Sequence, residues 1–293
     1  MIDIHFIVNP IAGSGNNIFT TEYLQSYFNA ELYIVKIKVS EYKGHPLILA
    51  QKSISQRANI IVACGGDGTI NEVATKLVGT NIIFGIVPLG SGNGLASNLK
   101  IPFSIKNALL KIKIKNVEKI DIGLINSKPF FSNMGIGFDA EVIKDYEKFE
   151  RRNFYSYLIS SIKTLRRFKK NTKKVILLDK GKKLINPFMV FISNTNQMGY
   201  GISLTPKALL NDGKLDVVVI PEISKRKIIL LGLLMLLKKT HLFKPLEYYQ
   251  SNSIVVRNLS KKPLDSQIDG EYTKQMNDML NIEILEQSLS VIV

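Results

Sequence analysis

The chain has 293 residues, of which 45% are apolar and 22% charged; this excludes global disorder and leaves room for one large domain or two ordinary ones around a buried core. A single cysteine, Cys64, excludes an intramolecular disulfide and fits a cytosolic address. The formal net charge of +15 suits an anionic partner (nucleotide, nucleic acid or acidic membrane), with simple solubility as the bland alternative.

The first 120 residues alternate in type. Ile4–Val8 is an apolar run; with Asp3 and His5 inside it and no basic segment before it, it reads as a first strand and not as a signal peptide. A glycine-rich turn, Asn9-Pro10-Ile11-Ala12-Gly13-Ser14-Gly15-Asn16, follows it. Helical spacing is expected at Thr20–Phe28, a half-buried strand at Leu32–Val39 and a helix at Pro46–Gln56. Asn59–Cys64 is a short apolar strand, Ile70–Val78 is helical by its spacing, and Ile82–Val87 is another buried strand. This order predicts an α/β layer with a mainly parallel sheet. Beyond it, β-rich runs at 120–125, 129–134, 174–178, 187–193, 214–220, 253–257, 264–268 and 281–285 suggest a β-sandwich-like body. The predicted fold is therefore α/β plus all-β, with domains at 1–121 and 122–293. The last strand is allowed to return to the first domain.

Charge is uneven. Residues 1–146 hold 14 basic and 11 acidic side chains, and residues 147–293 hold 25 and 13. Two later segments look helical. In 154–168, Phe154, Tyr157, Leu158, Ser161, Ile162, Leu165 and Phe168 share one side, and basic residues fill much of the rest. That side covers the sandwich or lies on a membrane surface. In the ten-residue run Ile228–Leu237, apolar residues broken only by Gly232 sit between basic flanks. The run is about half the length a membrane span needs, so it is a buried helix or one that dips into one leaflet.

The chemistry concentrates in Cys64-Gly65-Gly66-Asp67-Gly68-Thr69-Ile70-Asn71-Glu72, which leaves a strand and opens a helix. Backbone amides and a positive helix end can dock a phosphate there. Glycines allow close approach, Asp67 puts a carboxylate beside the phosphates for magnesium or site organisation, and Thr69 offers a hydroxyl. The plain alternative is a structural turn with Thr69 as cap. No Walker A loop, Rossmann fingerprint or zinc pattern occurs. His5 reads as structural and Cys64 as a core residue.

The Gly65–Thr69 block resembles the diacylglycerol kinase-like superfamily of lipid kinases, whose loop NAD kinases share. Ile86-Val87-Pro88-Leu89-Gly90-Ser91-Gly92-Asn93-Gly94-Leu95-Ala96 is similar to the segment that narrows the resemblance toward lipid kinases. The resemblance spans nearly the whole chain. It implies ATP and Mg2+ as donor and cofactor, bound in a cleft between the two domains. Nucleotide contacts are implied for Asn9, Ser40, Gly65, Gly66, Asp67, Gly68, Thr69, Asn71, Ser91 and Asn93. Asp121 is implied to join Asp67 in an acidic network near the metal. Glu271, in Ile268-Asp269-Gly270-Glu271, is implied as the general base that takes the proton of a lipid hydroxyl. Asp212, with the carbonyls of Leu209 and Lys214, is implied to hold a structural magnesium; by residue type alone, Asn211-Asp212-Gly213 is an ordinary hairpin turn. Two departures stand out: Gly94 occupies a position where many members carry Asp, and the Asn9–Asn16 turn lacks the usual Lys or Arg. The expected activity is ATP-dependent phosphorylation of a lipid, diacylglycerol or a related one. An NAD kinase-like enzyme acting on a soluble substrate and a non-catalytic membrane-binding relative are the alternatives. A peripheral anionic membrane is expected as partner and nucleic acid is not; a homo-oligomer is allowed.

Overall fold

A computed structural model describes residues 1–13, 15, 19–90, 92–150, 153–167, 175–179, 182–185, 187–198, 202–260 and 262–293. The chain divides into two units, Met1–Asp121 with Glu286–Val293, and Ile122–Leu285.

In the first unit, apolar runs become parallel strands and amphipathic runs become helices. The elements are β1 (Ile2–Val8), α1 (Thr21–Gln25), β2 (Tyr33–Val39), α2 (His45–Ser55), β3 (Ile60–Gly65), α3 (Asp67–Leu77), β4 (Ile83–Pro88), α4 (Gly94–Asn98), α5 (Ile105–Ile114) and β5 (Val117–Ile125), the last of which runs on into the second unit. The strand order is β2-β1-β3-β4, all parallel, and Val291 near the C-terminus pairs parallel with Phe84 of β4. β3 is buried throughout, as a central parallel strand must be. α3 turns Ile70, Val73, Ala74 and Leu77 inward, three and four residues apart, and so covers the sheet with one stripe. Because β1 lies between β2 and β3, the connections reverse direction there. In open α/β sheets, ligands bind at such a switch point, outside the carboxyl ends of the strands.

The second unit is mostly antiparallel. Its elements are β6 (Lys128–Phe130), β7 (Asn133–Gly137), α6 (Phe138–Tyr146), α7 (Phe154–Arg167), β8 (Val175–Asp179), β9 (Lys182–Ile185), β10 (Met189–Ser193), β11 (Leu215–Ile220), α8 (Lys225–Leu236), β12 (Glu247–Ser251), β13 (Ser253–Asn258), β14 (Leu264–Ile268), β15 (Glu271–Gln275) and β16 (Met279–Ile292), whose C-terminal part belongs to the first unit. One sheet runs β12-β11-β10-β7-β14-β15. Its inner face sends Met134, Ile136, Val190, Ile192, Val217 and Val219 against Ile254, Val256, Leu280 and Ile282 of β13 and β16, which makes the sandwich core. The alternate residues Met189, Phe191, Val218 and Ile220 pack on the opposite face with Ile228 and Leu231 of α8. β10 and β11 are therefore buried on both faces, and each carries an unbroken apolar run, Met189–Ile192 and Val217–Ile220.

The α/β-plus-sandwich reading holds, with three local corrections. β10 and β11 pair antiparallel across the long connection 194–214, so Asn211-Asp212-Gly213 ends that connection and does not close a tight hairpin. α7 buries Ser156, Ser160 and Thr164, while Tyr155 and Ile162 are exposed. The Thr164 hydroxyl donates to Asp145 of α6 at 3.1 Å, and Arg167 pairs with the same carboxylate at 2.6 Å. Small hydroxyl side chains let these two helices approach, so the buried stripe is offset from the apolar one read in the sequence. Phe168 lies outside the described residues. Finally, strands β9, β12 and β15 and helices α4, α5 and α6 are additional to the runs expected. His5 on β1 is fully buried, and burial, with Lys38 and Lys36 adding to it, brings its pKa down to about 4.

Candidate active site

Three loops meet at the carboxyl ends of β1, β3 and β4, and hydrogen bonds tie each to the next. Asn9, following β1, receives its backbone restraint by donating its N–H to the Cys64 carbonyl at 2.9 Å. Its side-chain Nδ2 donates to the Thr69 hydroxyl at 3.2 Å, a bond that crosses the switch point between β1 and β3. The Leu89 N–H donates to the Gly65 carbonyl at 2.8 Å and joins the second and third loops. Ser40 sits buried at the end of β2, its N–H on the Val8 carbonyl at 2.8 Å. Asn71 lies one turn into α3, where its carbonyl accepts from the Thr75 hydroxyl at 2.7 Å.

The loops are glycine-rich because they touch backbone to backbone. A Cβ on Gly90 would stand 2.7 Å from the Gly66 Cα and 2.9 Å from the Asn93 side-chain oxygen. Gly13 combines a left-handed φ of +65° with a would-be Cβ only 2.5 Å from the Leu89 carbonyl oxygen. Gly13→Ala is therefore expected to destabilise the first unit by roughly 1–2 kcal/mol from backbone handedness alone, with the carbonyl contact adding to it. Urea unfolding of the variant beside the native chain checks this.

Asp67 fastens the third loop. Its Oδ2 accepts the Asn93 N–H at 2.8 Å and its Oδ1 accepts the Gly94 N–H at 2.7 Å. Burial raises its pKa, and the two amide bonds act against that rise. Asn93 is buried in a left-handed conformation (φ 47°) and folds back on Gly90, whose N–H donates to its side-chain oxygen at 3.1 Å. Asn tolerates that conformation better than other residues with a Cβ. Gly66 is the N-cap of α3 and has no side chain with which to cap it. The first amides of the helix therefore remain suited to an anion. Gly68 is in that first turn. Ser91 lies outside the described residues. Asp121, at the edge of the unit, is buried, and its Oδ1 accepts the Gln287 N–H at 2.8 Å. Glu72 was not singled out from the sequence as a site residue. Both its oxygens accept the Gly44 N–H at 3.1 Å, which pins the start of α2. Only the neighbourhood of Glu72 to the glycine block hinted at this.

In the second unit, Glu271 opens β15 and is exposed, directly after the turn Asp269–Gly270 that links β14 to β15. The turn is braced from within. The Asp269 carboxylate accepts the N–H groups of Phe131, Ser132 and Asn133 at 2.9, 2.7 and 3.1 Å. Gln267 accepts the Gly270 N–H at 2.9 Å and donates to Asn133 at 2.9 Å and to Asp139 at 2.8 Å. Asp139 is buried, which raises its pKa to about 6 from 3.8. The folded state therefore holds this proton more tightly than the unfolded state. The stability it contributes is complete below about pH 4 and is lost as pH rises through about 6. Asp139→Asn should flatten that slope and gain about 3 kcal/mol relative to the native chain at pH 7. Urea unfolding of both proteins at pH 4.5 and pH 7 measures the difference.

Asp212 stands apart from these turns. Its Oδ1 accepts the Lys214 N–H at 3.1 Å and its Oδ2 accepts the Gln250 side chain at 3.2 Å. Asp216 lies beside it and accepts the Tyr248 hydroxyl; its other oxygen, Oδ2, is buried with no hydrogen-bond partner among the described residues. Burial, and then the charge of Asp212, raises the Asp216 pKa, with the Tyr248 hydroxyl opposing them. An orphaned carboxylate oxygen beside a second carboxylate fits a hard divalent cation with oxygen ligands. Leu209, of the same loop, is exposed.

The family model of the diacylglycerol kinase catalytic domain matches residues 3–125, and that of the YegS C-terminal NAD kinase beta sandwich-like domain matches residues 132–293. The chain belongs to the diacylglycerol kinase-like lipid kinase family. It is 32% identical over 189 residues to the "Probable lipid kinase YegS-like" protein of Klebsiella pneumoniae (strain 342), a match covering 62% of each chain. It is 30% identical over 193 residues to the protein of the same description from Enterobacter sp. (strain 638), covering 62% of this chain and 63% of that one. These matches span less than two thirds of the curated relatives' length. A crystal structure of a candidate diacylglycerol kinase from Bacillus anthracis str. Sterne aligns over 99% of this chain and 94% of its own with a TM-score of 0.80 at 22% identity, a likeness of fold.

Proposed function

We propose that this protein transfers the γ-phosphoryl group of ATP to a lipid hydroxyl, with diacylglycerol as the first acceptor to test. The observation that carries the reading is the trio of loops at the β1/β3 switch point, fastened by Asn9, Asp67 and Asn93 around the uncapped start of α3. A triphosphate needs such a set of backbone amides, because phosphoryl transfer is achieved mainly by positioning and charge stabilisation. In this reading, Gly65–Thr69 takes the phosphates, Ser40 and Asn71 border the nucleotide, and Asp67 keeps the third loop in place. Asp121 supports the acidic side of the site. Glu271 takes the proton of the acceptor hydroxyl. Magnesium, when bound, would neutralise phosphate charge during transfer. A second, structural magnesium is proposed at Asp212, with the carbonyls of Leu209 and Lys214 and the orphaned oxygen of Asp216. A peripheral cytoplasmic location at an anionic membrane is part of the same proposal.

The test is label transfer from γ-labelled ATP with magnesium to diacylglycerol in mixed micelles, run beside NAD as a soluble acceptor. Label in the lipid and none in NAD supports the reading. Label in NAD with none in lipid overturns it.

A further inference from the structure

Helix α8 is covered on one side only. Ile228 and Leu231 are buried beside Phe188, Val218 and Phe243, with Leu234 and Met235 packed against them. The other side carries Ile229, Leu230, Leu233, Leu236 and Leu237, each between 48% and 65% exposed. With 3.6 residues per turn these five share an arc of roughly 120°. Leu242, in the 3-10 turn Thr240–Leu242 that follows, is exposed as well. Exposed apolar residues scattered singly need no explanation, but a contiguous patch marks a surface that something covers.

The charges around the patch say what covers it. Lys225, Arg226 and Lys227 lie at one end, Lys238, Lys239 and Lys244 at the other, and residues 225–244 contain no acidic residue. A second copy related by a two-fold axis would set basic ends against basic ends. An anionic bilayer matches both features, the apolar arc and its cationic ends. The helix has 12 residues, so it rises only about 18 Å, short of the roughly 30 Å hydrocarbon core. It lies in the interface and does not cross. Among the described residues, no helix is long and apolar enough to cross a membrane.

We infer that α8 docks the protein on an anionic lipid surface, its leucine arc entering the boundary between headgroups and acyl chains and its basic ends resting on headgroup phosphates. The surface stands on the geometry of α8. Its purpose, bringing the enzyme to a membrane-borne acceptor, rests on the lipid-kinase reading.

The experiment compares the full chain with its Leu233→Glu/Leu236→Glu variant. Both side chains are exposed, so thermal unfolding should be unchanged. Sedimentation is measured with vesicles of phosphatidylcholine alone and of equal parts phosphatidylcholine and phosphatidylglycerol. Label transfer is measured on a short-chain, water-dispersed diacylglycerol and on diacylglycerol in the mixed vesicles. The native chain should bind the anionic vesicles, and the variant about tenfold or more weakly. The variant should also match the native rate on the dispersed acceptor and fall behind on vesicles. Equal binding by both proteins, or equal binding to neutral vesicles, overturns the proposal. So does a native dimer that the variant lacks, with no vesicle binding. Vesicle binding that depends on the two leucines, with no label transfer to any lipid, upholds the docking surface and removes the kinase reading.

Discussion

Asp67→Ala is expected to lower phosphoryl transfer by on the order of a hundredfold or more, because it releases the loop that closes the proposed nucleotide site. The native carboxylate holds two amides, those of Asn93 and Gly94, one on each oxygen. Bonds from an amide to a charged acceptor are shorter and stronger than neutral ones. Removing the acceptor strands two donors in a part-buried site, at a stability cost of roughly 1–3 kcal/mol. Asp67→Asn separates the loop-fastening role from a purely electrostatic one. The asparagine side chain has one acceptor oxygen and one NH2 donor, so one of the two amides would face a donor. It should therefore fail nearly as badly as alanine. Measured nucleotide affinity, transfer rate and unfolding free energy should all fall together. An Asp67→Asn protein with native affinity and rate would show that the loop does not depend on this carboxylate.

With Glu271 as the proposed general base, Glu271→Gln is expected to reduce transfer by roughly 100- to 10,000-fold, the usual contribution of such a group. The residue is exposed at the start of β15, and the isosteric substitution is expected to leave the fold intact. Asp269 supplies the contrast. Its carboxylate holds three consecutive amides of residues 131–133, and Asp269→Ala would loosen the turn itself. Loss of activity without loss of stability at Glu271, and loss of both at Asp269, is the expected pattern. A rate on dispersed diacylglycerol that is unchanged in Glu271→Gln would remove the base from the mechanism.

Residue type and local pattern carried the reading of this chain wherever burial is two-sided or the periodicity is clean. β3 reads as a strand because all of it is buried, and α3 reads as a helix because its apolar residues fall three and four apart. The strands that escaped, β9, β12 and β15, each lie at the edge of a sheet. Edge strands such as Glu247–Ser251 and Glu271–Gln275 carry polar residues and little alternation. β16 was visible only over 281–285 because the polar run Glu286-Gln287-Ser288 interrupts its apolar pattern. The site shows the same division. The glycine loops were legible from their composition and from their place after strands. The tasks of Asp67 and Asp269 were not, because their partners are backbone amides far along the chain, and no residue identity marks those. Asp216 was equally hidden: its orphaned oxygen appears only once Tyr248 and Asp212 surround the other side of the carboxylate.

The proposed acceptor is a lipid hydroxyl. This is tested most directly by incubating the purified chain with ATP, magnesium and a total lipid extract, then comparing the lipids by mass spectrometry with a reaction that contains Glu271→Gln. New phosphomonoesters of one neutral lipid class are expected, in the native reaction only. No phosphorylated lipid in the native reaction, together with phosphorylation of a water-soluble alcohol such as NAD, would contradict it.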